Sequence, residues 1–309
     1  MCPSGETVRV NASTDLSGRV CIVAGGGNGL GAAAARELAE QGASVVVNDL
    51  GTDLDGEGES PEPAEDVAAS IREAGGDATA HFGDVSDLGY AEDLVSDAMA
   101  EHGRVDAVAN FAGILRDGYA TNLSGEDWDA VIRVHLRGHF ALFRAAARHW
   151  REVADGDRLD PERTFLAVTS PGALGNVGQL NYSTAKAGVL GFTRSASTEQ
   201  YATGIRVNAL MPSGFSRMTE SIPEEHRPYT REEMPPERVA PTVAFLVSDA
   251  AADVTGVTVY AGGDKVAIYS DPEPVRSGVR PGGWTPESLA ESFDAIAEGV
   301  ELTRTERFM

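Results

Sequence analysis

A tyrosine and a lysine lie four residues apart in the stretch YSTAK, which runs from Tyr182 to Lys186. Residues at this spacing share one face of a helix, so the phenol and the ammonium would point into the same site. A free tyrosine has a pKa of about 10, which is too high for acid–base chemistry at neutral pH, and a neighbouring ammonium lowers it. The pair therefore predicts a tyrosine that exchanges a proton with a substrate.

The alternative is that the two residues fall at this spacing by chance. Lysine is scarce in this chain, because Lys186 and Lys265 are the only lysines among 25 basic residues. One of the two lies where this chemistry needs a titratable cation, which an arginine could not provide. The scarcity of lysine therefore argues against chance.

A hydroxyl at the end of an apolar run is the second chemical feature. Thr169 and Ser170 follow such a run and precede Pro171. A hydroxyl in that position could hydrogen-bond a reacting oxygen and hold a carbonyl for hydride attack. The residues alone leave both hydroxyls open.

A glycine-rich turn, AGGGNGLG at residues 24–31, follows a predicted strand and begins an alanine-rich helix. Glycines let backbone N–H groups approach a pyrophosphate, and a helix N-terminus favours an anion. The turn predicts a dinucleotide site. Its expected contacts are Gly25, Asn28, Gly29, Leu30 and Gly31.

Two acidic residues end predicted strands and extend this site. Asp49, next to Leu50, lies eighteen residues after Gly31 and can accept hydrogen bonds from both hydroxyls of an adenosine ribose. Its charge would repel a 2′-phosphate, which favours NAD over NADP. The alternative for Asp49 is an aspartate that simply caps a turn. Asp84, next to Val85, could accept from an adenine amino group.

The elements that must position these residues alternate between strands and helices. Near-continuous apolar runs are typical of parallel strands covered by helices on both faces. The pattern predicts an α/β fold, a Rossmann-like doubly wound parallel sheet of about seven strands in a single domain. The predicted strands are residues 20–24, 44–48, 78–82, 107–110, 164–169, 206–210 and 257–260, and the clearest predicted helices are 30–41, 87–102, 128–150 and 182–201.

The chain ends and two long loops complete the predicted organisation. Residues 1–16 are expected to be a flexible leader, 17–263 the NAD-binding catalytic domain, and 264–309 a C-terminal extension with one helical stretch at 286–298. The acidic loop at 51–63 is interpreted as either a functional lid or a surface insertion. The loop at 212–236 follows the sixth strand, where long loops are often functional.

The net charge of −23, from 48 acidic and 25 basic residues, disfavours nucleic acid and anionic membranes as partners. Two cysteines exclude a disulfide framework and a metal quartet, and no metal site is expected. The absence of a signal peptide and of a long apolar run predicts a cytoplasmic protein. Many acids with few lysines favour a halophilic protein, the alternative being an acidic mesophilic one.

Together these motifs resemble the short-chain dehydrogenase/reductase family over about residues 16–263. The TGxxxGxG motif of the family appears with Ala24 in place of threonine, YxxxK is residues 182–186, and NNAG appears as NFAG at 110–113. The resemblance implies an NAD(H)-dependent oxidoreductase that moves a hydride to or from a secondary alcohol or ketone. It adds cofactor contacts at Asn110, Ala112, Gly113, Tyr182, Lys186 and Pro212.

The resemblance also assigns catalytic residues. The family's catalytic serine usually lies thirteen residues before the tyrosine, which is Thr169 here, whereas Ser170 lies twelve before. Relatives carry a Ser-Pro pair that matches Ser170 and Pro171, so Ser170 is favoured and Thr169 is the alternative. His135 stands where the family usually has an asparagine that supports a proton-relay water, and we assign it a supporting catalytic role.

Four stretches, VVVNDLG, GILRD, RVHLRG and SRMT, are similar to the dehydrogenase part of peroxisomal multifunctional enzyme type 2 and its prokaryotic relatives. This similarity implies a 3-hydroxyacyl thioester or a hydroxysteroid as substrate, and a homotetramer or homodimer. The rival hypotheses are a non-catalytic NAD-binding regulator on the same fold and an NADP-dependent biosynthetic ketoreductase. The intact tyrosine, lysine and serine argue against the first, and Asp49 argues against the second.

Overall fold

A computed structural model describes residues 13–300, which contain one eight-stranded sheet in the order β3-β2-β1-β4-β5-β6-β7-β8. The first seven strands pair in parallel, and β8 pairs antiparallel with β7. The doubly wound fold predicted from the sequence is therefore confirmed. The strands are β1 (Val20–Ala24), β2 (Ser44–Asp49), β3 (Asp77–Phe82), β4 (Ala107–Asn110), β5 (Arg163–Val168), β6 (Ile205–Ser213), β7 (Thr258–Gly262) and β8 (Lys265–Tyr269).

The eighth strand corrects the predicted count of seven. It lies just after Gly263, in the part of the chain that the sequence assigned to an extension. A tight turn at Gly263, which has a φ of +54°, joins it to β7. β8 is a mostly exposed edge strand, and its sequence, KVAIY, contains a short apolar run that the sequence analysis did not assign to a strand.

Helices cover both faces of the sheet. The predicted helix at 128–150 is divided by a π-helical turn at Arg133–Arg137, and the helices at Glu62–Glu73, Arg217–Glu220 and Ala240–Val247 are not among the clearest ones that the sequence predicted. The helices are α1 (Gly29–Glu40), α2 (Glu62–Glu73), α3 (Leu88–His102), α4 (Gly125–Ile132), α5 (Gly138–Ala154), α6 (Leu180–Gln200), α7 (Arg217–Glu220), α8 (Ala240–Val247) and α9 (Pro286–Ile296).

The order of the strands determines where a ligand can bind. The chain moves outward from β1 through β2 to β3, and then returns to place β4 on the other side of β1. The helices that follow β1 and β4 therefore lie on opposite faces, and a crevice opens at the carboxyl ends of these strands. The predicted site residues lie at the carboxyl ends of strands at this edge, in the turns that follow them, or in helical segments.

The described chain forms two compact units, residues up to Tyr269 and residues from Ser270. In the first unit, Leu16 is fully buried although the sequence assigned it to the leader; residues 1–12 of that leader lie outside the described residues. In the second unit, α9 matches the predicted helical stretch and begins with a capping box between Thr285 and Ser288.

Residues 13–300 contain neither a candidate membrane-spanning helix nor a candidate metal-binding cluster. No helix there combines the length and the apolar character needed to span a bilayer. In the same residues, no cluster of three or more histidines, cysteines, aspartates or glutamates is arranged to hold a metal ion.

The acidic excess predicts a dependence of stability on salt. Exposed carboxylates crowd parts of the surface; Asp53, Asp55, Glu57 and Glu59 lie on one loop. At about 0.01 M salt their repulsion extends over ~30 Å, and at about 1 M over only ~3 Å. The melting temperature and the turnover rate should therefore rise together between these concentrations, as measured by thermal melts and rate assays. Full stability and activity in dilute buffer would contradict the halophilic interpretation.

Candidate active site

A cleft of about 1330 Å³, partly open to solvent, lies at the carboxyl edge of the sheet. It brings together nearly all the residues that the sequence predicted for the site. Asn110 is the exception, because it is buried beneath the cleft, where its side-chain oxygen accepts a hydrogen bond from the Ala112 N–H at 3.1 Å. The predicted residues that line the cleft are Gly25, Asn28, Gly29, Leu30, Gly31, Asp49, Leu50, Asp84, Val85, Ala112, Gly113, His135, Ser170, Tyr182, Lys186 and Pro212.

Tyr182 and Ser170 form a pair of hydroxyls in this cleft. Tyr182 lies in the first turn of α6 and is buried, and the Ser170 side chain lies next to its hydroxyl, where it favours the phenolate. Ser170 follows β5, and its Oγ also accepts the Gly172 N–H at 3.1 Å. A Cβ on Gly172 would lie 3.0 Å from the Tyr182 ring, so glycine allows the turn to pack closely over the phenol.

The neighbouring hydroxyl has a different environment. Thr169 is buried, and its Oγ1 donates to the backbone carbonyl of Lys186 at 2.8 Å. Thr169 therefore attaches the end of β5 to α6. Of the two hydroxyls that the sequence left open, Ser170 is the one that acts on the pKa of Tyr182.

Lys186 is also buried, and its Nζ donates to the Val168 carbonyl at 2.8 Å. The same Nζ lies 5.7 Å from the centre of the Tyr182 ring. Burial lowers the pKa of Lys186 to about 7. Burial raises the pKa of Tyr182 to about 12, although the neighbouring Ser170 side chain acts in the opposite direction.

These pKa directions differ from the prediction that Lys186 lowers the pKa of Tyr182. The Lys186 ammonium donates its hydrogen bond to the Val168 carbonyl. Burial removes water from around the phenol, and this destabilises the phenolate more than the neighbouring groups stabilise it. In the chain alone, Tyr182 is therefore a protonated phenol at neutral pH.

His135 packs directly against Tyr182. It lies in the π-helical turn, is fully buried, and its ring meets that of Tyr182 edge to face with 5.1 Å between centroids. Nε2 lies 3.1 Å from the Ile114 nitrogen and 2.8 Å from the Ile114 oxygen, while Nδ1 has no partner among residues 13–300. A Cβ on Gly113 would lie 2.5 Å from this ring, so glycine makes room for it.

Burial, the nearby Lys186 and the nearby His139 lower the pKa of His135 well below its ordinary value, against an opposing hydrogen bond with Ile114. The imidazole is therefore neutral at neutral pH. Its contact with Tyr182 is a ring contact, consistent with a supporting role.

The glycine-rich turn is packed so tightly that side chains are excluded. Gly25 has a φ of +69°, and a Cβ there would lie 2.4 Å from the Ala112 nitrogen. A Cβ on Gly31 would lie 2.0 Å from the Gly25 oxygen. Asn28 begins α1 without a capping side-chain bond, and the first N–H groups of a helix have no partner within it. The turn thus presents backbone donors to the cleft.

Asp49 is held in place by two backbone groups. Its Oδ2 accepts the Gly27 N–H at 2.8 Å, and its Oδ1 accepts the Gly51 N–H at 2.7 Å. Each carboxylate oxygen can accept more than one hydrogen bond, so both retain acceptor capacity. The aspartate therefore fixes the turn and also presents negative charge in the cleft.

Asp84 is paired with an arginine that the sequence analysis did not identify. Its Oδ2 lies 2.5 Å from Arg133 Nη1, and its Oδ1 accepts the Ser86 N–H at 2.8 Å. Burial alone would raise the pKa of Asp84, but the hydrogen bonds from Ser86 and the Arg133 guanidinium bring it below its ordinary value. The predicted adenine acceptor is thus a carboxylate already bonded on both oxygens.

Comparison with known proteins bears on what this cleft does. Residues 24–263 match the family described as enoyl-(acyl carrier protein) reductase. Hydroxyacyl-CoA dehydrogenase ChsB1 of Mycobacterium tuberculosis is 38% identical, over 94% of this chain and 92% of that protein. A crystal structure of a short chain dehydrogenase from Mycobacterium avium has a TM-score of 0.80 at 37% identity, covering 91% of this chain and 95% of that one. The chain belongs to the short-chain dehydrogenase/reductase family.

The resemblance seen in the sequence is therefore confirmed. Peroxisomal multifunctional enzyme type 2 of Mus musculus is 41% identical over 78% of this chain, which spans 31% of that longer enzyme. As a short-chain dehydrogenase/reductase, the chain is an oxidoreductase of a family that uses a nicotinamide cofactor.

The cleft of this short-chain dehydrogenase fits such a cofactor. The positions of Gly25 and Gly31 leave no space for side chains, so a pyrophosphate could approach the backbone N–H groups at the start of α1. Asp49 offers acceptors where a ribose would lie in a dinucleotide site. Lys186 and Tyr182 line the other part of the same cleft, beside Pro212.

Several residues of the cleft were missed by the sequence analysis. Three of them fell in the stretches GILRD, RVHLRG and SRMT, which were used only to recognise the family; these are Arg116, Arg133 and Arg217. Arg116 Nε donates to the Asp55 carbonyl at 2.8 Å, and Arg217 Nη1 donates to the Thr52 carbonyl at 2.8 Å. The acidic loop is therefore held against the cleft on two sides.

Proposed function

We propose that this chain is an NAD(H)-dependent dehydrogenase that interconverts a secondary alcohol and a ketone. The observation that carries the proposal is the placement of Ser170 next to the buried Tyr182, in a cleft that Lys186 and the glycine-rich turn also line. A non-catalytic NAD-binding protein would need no such pair of hydroxyls next to a buried lysine.

Each residue of the pair has a separate task. Ser170 holds the substrate oxygen by a hydrogen bond, and Tyr182 gives a proton to that oxygen in ketone reduction or removes it in alcohol oxidation. Lys186 supplies positive charge near Tyr182 and binds the cofactor's ribose, and His135 supports the Tyr182 ring. When bound, the nicotinamide supplies or accepts the hydride.

The charge of Asp49 supports NAD rather than NADP as the cofactor. A 2′-phosphate would meet a carboxylate that two backbone N–H groups hold in place, without an opposing cation bonded to it in the described structure. This repulsion argues against the NADP-dependent ketoreductase.

Replacing Asp49 by serine should shift preference toward NADPH, relative to NADH, by about tenfold or more, which corresponds to roughly 1.4 kcal/mol. Initial rates with both cofactors at equal concentration give the ratio. Asp53→Ser is the matched control, because Asp53 is exposed on the same loop and does not line the cleft. A wild type that turns over NADPH faster than NADH contradicts the assignment, as does an equal shift in both variants.

For the substrate, we propose a 3-hydroxyacyl thioester, with a hydroxysteroid as the second candidate. The support is the names of two relatives, a hydroxyacyl-CoA dehydrogenase and a peroxisomal multifunctional enzyme, together with apolar cleft walls at Leu54, Ile114 and Met218. The test is a panel of acyl-CoA thioesters, steroids and simple alcohols in molar salt, followed by NADH absorbance. Turnover of simple alcohols alone would contradict the proposed class.

We also propose that the chain works in the cytoplasm as a homotetramer or homodimer. The exposed apolar side chains of β8, Val266 and Ile268, support a contact between subunits. A monomeric mass by light scattering in molar salt would contradict the oligomer.

A further inference from the structure

A second buried histidine, outside the cleft wall, joins three elements of the active site. His139 lies in α5, one turn after His135, and is fully buried. Its Nδ1 lies 2.5 Å from the His135 carbonyl oxygen. Its Nε2 accepts the Val168 N–H at 3.0 Å. The imidazole thus spans from the π-helical turn to the end of β5.

The backbone partners determine the tautomer of His139. A backbone N–H only donates and a backbone carbonyl only accepts, so Nε2 is the unprotonated nitrogen and Nδ1 carries the hydrogen. The Asn110 amide nitrogen, 3.2 Å from Nδ1, is then a close neighbour and not a hydrogen-bond donor to it. Burial and the charge of Lys186 lower the pKa of His139 to about 3, so the ring stays neutral.

Val168 needs this partner because of where the neighbouring strand ends. The pairing of β4 with β5 stops at Asn110 and Ala167, one residue before Val168. A buried N–H without a partner is costly, and His139 supplies the acceptor. The carbonyl of the same Val168 accepts the hydrogen bond from Lys186 Nζ. His139 and the catalytic lysine therefore bind the two backbone groups of one residue.

Resting on the proposed function, we propose that His139 is a positioning residue of the active site. It fixes Val168, so that the Val168 carbonyl holds the Lys186 ammonium beside Tyr182, and it fixes the turn that carries His135. It touches neither the substrate nor the cofactor.

The competing explanation is that His139 only fills the core. Its ring packs edge to face against Phe165 and Phe192, at 6.4 and 6.5 Å between centroids. Phe143 packs against the same two rings, at 5.2 and 5.3 Å, and no polar atom is involved. Phe143→Leu therefore disturbs the same packing without touching the hydrogen bonds, which makes it the matched control.

Titratable groups face Lys186 and Tyr182 from several elements of the structure. Tyr182 lies on its own helix, and His135 and His139 face it from the π-helical turn and α5. Asp117 and Tyr229 act on Tyr182 from two loops, and burial raises the pKa of Asp117. Both histidines stay neutral at neutral pH, so they do not titrate together with Lys186.

The chain offers a direct test that does not depend on activity. Only Lys186 and Lys265 are lysines, so protein labelled with ¹³C-lysine gives two side-chain signals, and Lys265→Arg assigns them. In His139→Phe the ammonium loses its fixed acceptor. We expect the titration midpoint of Lys186 to fall by about 0.5 pH unit or more. The exposed Lys265 serves as the internal reference.

The same variants are compared by thermal melts, NADH titration and turnover. His139→Phe should lower kcat about tenfold and raise the NADH Kd by at most a few-fold, because Lys186 also binds the ribose, whereas Phe143→Leu should lower only the melting temperature. An unchanged or raised Lys186 midpoint in His139→Phe would overturn the proposal. If that variant does not fold, His139→Gln replaces it, since one amide cannot bond both partners as the ring does, and an unchanged midpoint there is equally decisive. A wild type without turnover would instead contradict the proposed function.

Discussion

Replacing Tyr182 by phenylalanine is expected to lower turnover by about 10²–10⁴-fold, the usual loss when a general acid or base is removed. The ring stays, so its contact with His135 and its place in the first turn of α6 are retained. NADH binding, measured by fluorescence titration, should stay within a few-fold of wild type. Tyr119→Phe is the control, because Tyr119 is exposed and does not line the cleft.

The pKa of Tyr182 determines how the rates of the two reaction directions should change with pH. Burial raises the pKa of Tyr182 to about 12, so the phenol is protonated at neutral pH and can donate. Ketone reduction should be fastest below this pKa and should fall as the pH rises toward it, while alcohol oxidation should rise over the same range. Both trends should be absent from the residual rate of Tyr182→Phe. Near-normal turnover in this variant would contradict the mechanism.

The strands and the catalytic pair could be predicted from the sequence for physical reasons. Strands buried on both faces are apolar at every position, as in VCIVA of β1, and such runs are visible without knowledge of their partners. Tyr182 and Lys186 share a helical face because of their spacing alone. The glycine-rich turn was predictable because its backbone conformation excludes side chains, as at Gly25 and Gly31.

The features that were missed depend on contacts between distant residues. The pairing of Asp84 with Arg133 joins the end of β3 to the π-helical turn, and no local pattern indicates it. The hydrogen bond of His139 with the Val168 N–H depends on the register between strands, because the pairing of β4 with β5 stops at Ala167, one residue before Val168. The rise of the Tyr182 pKa in the chain alone was not predicted, because the extent of its burial could not be derived from its neighbours in sequence.

Ser170→Ala is expected to lower kcat by about 10²–10³-fold, the range seen when a hydrogen-bond donor to a developing oxyanion is removed. The variant loses the hydroxyl next to Tyr182, while its backbone continues into the same turn. The melting temperature should change little, because Ser170 is only partly buried. The measurements are kcat, KM and a thermal melt in molar salt.

Thr169→Val separates the two hydroxyls that the sequence left open. It retains the size of the side chain but leaves the buried Lys186 carbonyl without the bond that Thr169 Oγ1 donates. The carbonyl keeps its hydrogen bond within α6, so the loss is that of one ordinary hydrogen bond, about 0.5–1.5 kcal/mol of unfolding free energy, and the melting temperature should fall modestly. Turnover should stay within a few-fold of wild type, since this hydroxyl is bonded to the backbone carbonyl of Lys186. If Thr169→Val instead lowers kcat more than Ser170→Ala, then Thr169 is the catalytic hydroxyl, and the alignment of Ser170 and Pro171 with the Ser-Pro pair of relatives is wrong.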